Sequence, residues 1–217
     1  KADLHIHSTF SDGKGSPRDI LLYCRLKDIK IFSITDHNTF QGSITARRYA
    51  SDLNGEILVI VGNEVRTIHG DILVYCLEPI DTPSDPSLLI DRAHENNCLV
   101  IPAHPYDTLR YGIGDYIYEY KGWDGVEVWN ASANRGANKK ALDASRILGL
   151  PGLANSDAHI VEYIGVAYSL IDVDDLNYDS FIEALRRNMV KPVFGYPSFN
   201  TVFKKLAWSF SRRIKRV

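Results

Sequence analysis

Near its start the chain reads DLHIHSTFSDG (residues 3–13), which sets His5 and His7 one residue apart and Asp12 just beyond. In an extended segment successive side chains alternate faces, so His5 and His7 point one way and Leu4 and Ile6 the other. Two imidazoles side by side in an interior need a shared acceptor, and a metal ion supplies one. The same residue types return along the chain: Asp36 and His37 in ITDHNT, Glu64 in VGNEV, His104 in IPAHP, Glu127 in GVEVWN, and Asp157 and His159 in NSDAH. Singly, each is ordinary for a strand end or a turn with a capping carboxylate. Jointly they form a mixed imidazole and carboxylate set without thiolate, which suits zinc, manganese or iron in sites with open coordination positions. Eight or nine ligands are too many for one ion. With Glu64 able to bridge, they suggest two or three, which would activate a water and clamp phosphoryl oxygens in the hydrolysis of a phosphate ester. His69, beside Gly70, and His94, beside Glu95, are read as ordinary turn and helix-end residues.

The elements that must position these residues alternate. ADLHI, KIFSIT, EILVIVGNEV, DILVYCL, CLVIPAH, DGVEVWN, GLANSDAH and GVAYSLID read as strands. Between them fall helices: SPRDILLYCRLKD with Ser16 as N-cap and Pro17 at the first helical position, FQGSITARRYASDL weakened by Gly42, DPSLLIDRAHENN, ANKKALDASRILG ending at Gly149, and DSFIEALRRN. Short apolar strands alternating with helices mean βα units in one α/β domain. Nearly all the candidate ligands lie at C-terminal strand ends, the edge where chemistry gathers in parallel α/β architectures.

Composition narrows the functional class. The 217 residues are 45% hydrophobic and 24% charged, the mix of a globular protein. No apolar run is long enough to span a bilayer, and no signal-peptide pattern leads the sequence. Cys24, Cys76 and Cys98 are odd in number and far apart, which reads as reduced packing residues in a cytoplasmic protein. Net charge is −2 but unevenly spread: residues 204–217 carry six bases and no acid, leaving 19 bases against 27 acids in the body. An acidic body argues against generic nucleic-acid binding and suits a carboxylate site balanced by cations.

Taken together, DLHIHSTFSDG, TDHNT, GNEV, PAHP and NSDAH resemble the successive signature motifs of the polymerase and histidinol phosphatase (PHP) domain family, from Asp3 to about Pro197. The resemblance implies a distorted (β/α)7 barrel with a two- or three-metal centre in its mouth and phosphoesterase activity. The ligands it implies are His5, His7, Asp12, His37, Glu64, His104, Asp157 and His159. Where family members often carry a histidine after the GxE segment, this chain reads HGDILVY, which places Asp71 there with His69 as a rival. HPYDTLRYGIG and GVEVWNASANRGANKKA resemble the small stand-alone members, which points to a small phosphate ester, a nucleotide or sugar phosphate. Arg110 is the candidate for gripping the phosphate. Glu127 and Asn130 are read as residues that orient a histidine. In the implied mechanism a hydroxide shared between ions attacks phosphorus in line, and Asp12 or Asp36 relays the proton to the leaving oxygen.

Residues 198–217 read as a basic amphipathic helix appended to a domain of residues 1–197. Its stripe is Phe203, Leu206, Ala207, Phe210 and Ile214. Packing of that stripe on the acidic body is the favoured reading; weak contact with an anionic membrane or a nucleic acid is the other. Two alternatives to a small-molecule phosphoesterase stand beside it: a nuclease or polymerase-associated proofreading domain, and a metal-binding regulatory domain without turnover.

Overall fold

Strand β1 (Ala2–Asp3) leads to α1 (Pro17–Leu26), β2 (Ile31–Ile34), α2 (Gln41–Ala50), β3 (Leu58–Arg66) and β4 (Asp71–Cys76) in a computed structural model that describes residues 1–53 and 55–214, with side chains through Ser209. Then follow α3 (Pro86–Glu95), β5 (Leu99–Pro102), β6 (Val126–Asn130), α4 (Arg135–Leu148) and β7 (Gly152–Asn155). Last come β8 (Tyr168–Ile171), α5 (Tyr178–Arg186), β9 (Val190–Val193) and α6 (Phe199–Ile214). Local chemistry sets the helix ends. The Asp19 N–H donates to Ser16 Oγ at 3.2 Å and the Ser16 N–H donates to the Asp19 carboxylate at 3.0 Å, a capping box followed by Pro17. Asp85, Asn134 and Asn177 cap α3, α4 and α5 with one bond each. Helix α4 stops at Gly149, whose φ of 67° is a conformation that costs glycine little.

Strands β1, β2 and β3 pair in parallel, as do β6 and β7. The main sheet runs β5-β4-β3-β2-β1-β8-β9 and is strongly curled. Strand β6 packs beside β5, and β7 beside β1, where a parallel bridge joins Ile6 to Ala158. Strands β1 to β7 thus follow one another around the wall in chain order, the distorted (β/α)7 barrel that the sequence suggests. One departure matters for the site. Strand β4 runs antiparallel to both β3 and β5, so its first residue, Asp71, lies opposite Arg66 at the rim where β3 ends.

Alternation along the strands sorts the core. Leu73 and Tyr75 face the barrel interior with Ala2, Leu4, Ile60 and Ile101, whereas Ile72, Val74 and Cys76 face outward beneath α3 and α4. Helix α5 plugs the end away from the metal ligands with Tyr178, Phe181, Ile182 and Leu185. The fully buried Tyr75 hydroxyl donates to Leu4 O at 2.9 Å, which satisfies a polar group inside that plug.

Several expectations are corrected. Only Ala2–Asp3 of ADLHI belongs to a strand, because Leu4 N donates to Asn155 Oδ1 instead of a ladder partner. Leu4 packs inside the barrel and Ile6 under α1, so those two do not share a face. Strand β9 was not anticipated; its sequence VKPV carries no alternation and it borders the sheet. Cys76 and Cys98 form a disulfide, because the β4–β5 register, with Tyr75 opposite Leu99, sets them side by side at a Cα–Cα distance of 4.5 Å. Cys24 is free and buried. The bond removes the cysteine argument for a cytoplasmic location, and no described helix is long and apolar enough to cross a membrane. Finally, α6 is rotated from the expected orientation. Phe199, Phe203 and Leu206 are exposed, while Val202, Lys205 and Trp208 are half-buried, with Trp208 packed on the α1–α2 cluster. The side chains of Phe210 and Ile214 lie outside the described residues.

Candidate metal centre

The C-terminal ends of the barrel strands enclose a cavity of about 540 Å³. His7, Asp12, His37, Glu64, Asp71, His104, Asp157 and His159 line it, and His5 lies fully buried behind them. They arrive on several different strands. His5 and His7 follow β1, His37 follows β2, Glu64 sits in β3, His104 follows β5, and Asp157 and His159 follow β7. His104 and Asp157 hold φ values of +32° and +48°, a strain of about 1–3 kcal/mol each of the kind found at functional sites.

Glu64 is the hub. Its Oε1 accepts from His104 Nε2 at 2.9 Å, and its Oε2 lies 3.1 Å from His37 Nδ1, 3.2 Å from His7 Nε2 and 3.3 Å from His5 Nε2. His5 Nε2 and His7 Nε2 are 3.2 Å apart, and Asp157 Oδ1 is 3.3 Å from the latter. At the mouth, Asp12 Oδ2 is 3.2 Å from His159 Nε2 and Asp12 Oδ1 is 3.5 Å from His7 Nδ1. Four overlapping groups have candidate ligand atoms within 4.8 Å of one another: His7–Asp12–His37–His159, His5–His7–Glu64, His5–His104–Asp157 and His37–Glu64–Asp71. Glu64 Oε2, His7 Nδ1 and His104 Nδ1 are buried yet make no hydrogen bond. An oxygen crowded by three ring nitrogens but bonded to none is what a cation between them would satisfy, so the donor set fits divalent ions.

Electrostatics agree with this geometry. Burial alone would push Glu64 up, but the imidazoles of His5, His104 and His7 hold it well below the usual carboxylate range. Burial likewise opposes protonation of His7, yet Asp157 and Glu64 raise it to about 10. His5 is raised well above its ordinary value, against burial, by Glu127, Glu64 and Asp157. His37 and His159, by contrast, are lowered by burial. Without metal, the base of the site thus favours charged His5 and His7 against an ionised Glu64, while His37 and His159 favour the neutral ring.

Around the ligands stands a set of bracing groups. The buried Glu127 carboxylate takes His5 Nδ1 at 2.9 Å, the His104 N–H at 2.6 Å, Asn155 Nδ2 at 2.9 Å and Asn130 Nδ2 at 3.0 Å. Glu127 therefore orients a histidine as expected, with Asn130 supporting it. Asp36 does not line the cavity. Ser8 N and Ser11 Oγ donate to its Oδ1 and Ser8 Oγ to its Oδ2, all within 2.7 Å, so it braces the loop that carries Asp12. With both oxygens engaged and buried, it is not placed to relay a proton to substrate. Gly42 is explained by the same carboxylate: a Cβ there would lie 2.0 Å from Asp36 Oδ2.

Asp71 lines the cavity and is paired with Arg66 by two hydrogen bonds, whereas His69 stacks on Tyr116 at 4.0 Å between centroids, away from the lining. His94 bonds Asp124 at the end of α3, as an ordinary residue would. Arg110 reaches the cavity, held by Asp107 at 2.8 Å and Asp157 at 3.3 Å. Two cations escaped sequence reasoning, Arg66 and Lys205. Arg66 follows GNEV directly, a position that could have flagged it; for Lys205 only the docking of α6 supplies the signal.

Residues 3–121 match the family described as "PHP domain", and residues 135–190 match the one described as "PHP-associated". An uncharacterized protein of Methanocaldococcus jannaschii is 34% identical over 143 residues, which cover 60% of this chain and 82% of the relative. Among solved structures, a two-domain protein from Bacteroides vulgatus, described as containing a predicted PHP-like metal-dependent phosphoesterase, superposes with a TM-score of 0.73 at 18% identity. The match covers 90% of this chain and 64% of that one, so this chain spans somewhat under two thirds of that protein. PsfC from Pseudomonas syringae gives 0.67 at 14% identity, covering 97% of both chains.

Proposed function

The chain belongs to the PHP domain family, and from that premise we propose that it is a metal-dependent phosphoesterase acting on a small phosphate ester. The observation that carries the reading is the convergence of imidazole and carboxylate side chains from several strands on one cavity, eight lining it and His5 behind them, with Glu64 Oε2 among three ring nitrogens. His5, His7, Glu64, His104 and Asp157 would hold ions at the base, and Asp12, His37 and His159 one at the mouth, with Asp71 as a further oxygen donor beside His37. Bound there, zinc, manganese or iron would lower the pKa of a coordinated water and polarise the phosphoryl oxygens.

The chain's own residues do the rest. Glu127 fixes the ring of His5 and the backbone of His104, so the ligand atoms are set before substrate arrives. Arg110, anchored by Asp107, offers its remaining guanidinium donors to a phosphate oxygen. Asp12, at the mouth and held below the usual carboxylate range by His159 despite its burial, is ionised at neutral pH, the state in which a carboxylate can hold a cation there.

The test is metal analysis of the purified protein together with a panel of phosphate esters. At least two divalent ions per chain and metal-dependent release of phosphate are expected. His5→Ala and Asp157→Ala should retain the fold by circular dichroism and lose turnover; full activity in either would count against the assignment. Multiple bound ions with no ester turned over would favour a regulatory metal-binding domain.

A further inference from the structure

Helix α6 lies beyond the residues that match either family description, yet it reaches the cavity. Lys205, on its inner face, lines the metal cavity and also a second cavity of about 340 Å³ that opens beside it. The Lys205 ammonium donates to Ser132 Oγ at 3.1 Å and sits 4.9 Å above the Tyr163 ring. Ser132 in turn donates to Asp157 O at 3.2 Å, which ties the lysine to the segment that carries a candidate ligand. Arg110 is the other cation shared by the two cavities. The second cavity is walled by Tyr163, Tyr196, Pro197, Val202 and Leu206, a mainly apolar lining with aromatic edges.

We infer that α6 completes the substrate site: Lys205 is a phosphate-binding residue, and the cavity behind it receives a single-ring, largely apolar leaving group of the ester. This rests on the phosphoesterase reading above and extends it to the substrate class. Two cations at the junction of a metal-lined and an apolar chamber match a molecule with a dianionic end and an apolar end. Size agrees, because an apolar cavity of about 150 Å³ already admits benzene. Burial and the nearby Arg110 lower the Lys205 pKa, while Asp157 and Asp12 oppose that shift, and an anionic phosphate between the two cations would favour the charged form. The helix is held to the body by Trp208 and by Lys204, whose ammonium lies 3.3 Å from Glu162, so Lys205 is presented from a docked element.

The test uses the metal-loaded full chain and measures dissociation constants for benzylphosphonate and ethylphosphonate, which bind without being hydrolysed. The wild type should bind the benzyl compound at least about tenfold more tightly than the ethyl one. Lys205→Met should weaken both about tenfold, with Lys205→Arg recovering most of the loss and metal content unchanged in each. Val202→Trp, which fills the side cavity, should abolish the benzyl preference and leave ethylphosphonate affinity as it was. Equal affinities for the two compounds in the wild type, or no effect of Lys205→Met, would overturn the inference. Failure of the hydrolase reading shows separately, as phosphonate binding without turnover of any ester.

Discussion

Replacing Glu127 with glutamine changes one atom and should disable the bracing of the metal centre. The carboxylate accepts four hydrogen bonds, His5 Nδ1 and Asn155 Nδ2 on Oε1, and the His104 N–H and Asn130 Nδ2 on Oε2. A glutamine amide turned either way sets an NH2 against two donors. Neither asparagine is free to flip in compensation, because Asn155 Oδ1 accepts from Leu4 N and Asn130 Oδ1 from Ser132 N. Two buried donors without partners, at about 1–3 kcal/mol each, predict a loss of roughly 2–6 kcal/mol. In a chain of this size, at about 2–4 °C per kcal/mol, that lowers Tm by about 4–24 °C. With His5 no longer fixed, metal affinity should fall about 10–100-fold. Calorimetric melting of the metal-free variant and competition against a chromogenic chelator read the two effects apart. A Glu127→Gln protein that melts within about 2 °C of the wild type and binds metal as tightly would refute the reasoning.

Gly42→Ala improves helix propensity by about 1 kcal/mol but drives a methyl into Asp36 Oδ2 and Ile34 Cγ2, an overpacking of about 1–3 kcal/mol. Chemical denaturation should therefore show a net loss of up to about 2 kcal/mol, and a stabilised variant would contradict the packing. Asp71→Asn should remove the ion associated with His37 and Glu64, so elemental analysis should find one equivalent less than in the wild type; an unchanged count would make Asp71 only a partner of Arg66. Metal loading at pH 7 should release protons, because the neighbouring acids keep His5 and His7 protonated against the effect of burial, and ligation requires neutral rings. Titration calorimetry in buffers of different ionisation enthalpy should give at least one proton per chain, and a buffer-independent heat would sink this. The sign for stability follows: the charge on His7 stabilises the metal-free protein fully below pH 6.5, and that contribution fades as pH rises through about 10.

What could be read from the sequence and what could not divide along one physical line. Helix ends were legible because they are local: Ser16 with Asp19, or Gly149 in its left-handed turn, need only their neighbours. The convergence of His5, His7, His37, Glu64, His104, Asp157 and His159 was legible because barrel topology sends strand ends to one rim. Adjacent residues at such an end point opposite ways, which is why His37 meets the cavity while Asp36 turns beneath the Asp12 loop. Choosing between them needed the register. The reversal of β4, the Cys76–Cys98 bond across the β4–β5 pair and the face that α6 presents are all properties of pairing between distant segments. No short window encodes them. Lys205 was visible only as one base in a charged run.

The most direct test is a single titration. Protein stripped with chelator is supplied with manganese or zinc in defined equivalents while phosphate release from a simple monoester is followed. No turnover is predicted in the stripped protein, and activity should rise as at least two ions per chain are bound. Undiminished hydrolysis in the stripped protein, or a wild-type chain that takes up no divalent ion, would contradict the central claim that these side chains form a metal centre for phosphate-ester hydrolysis.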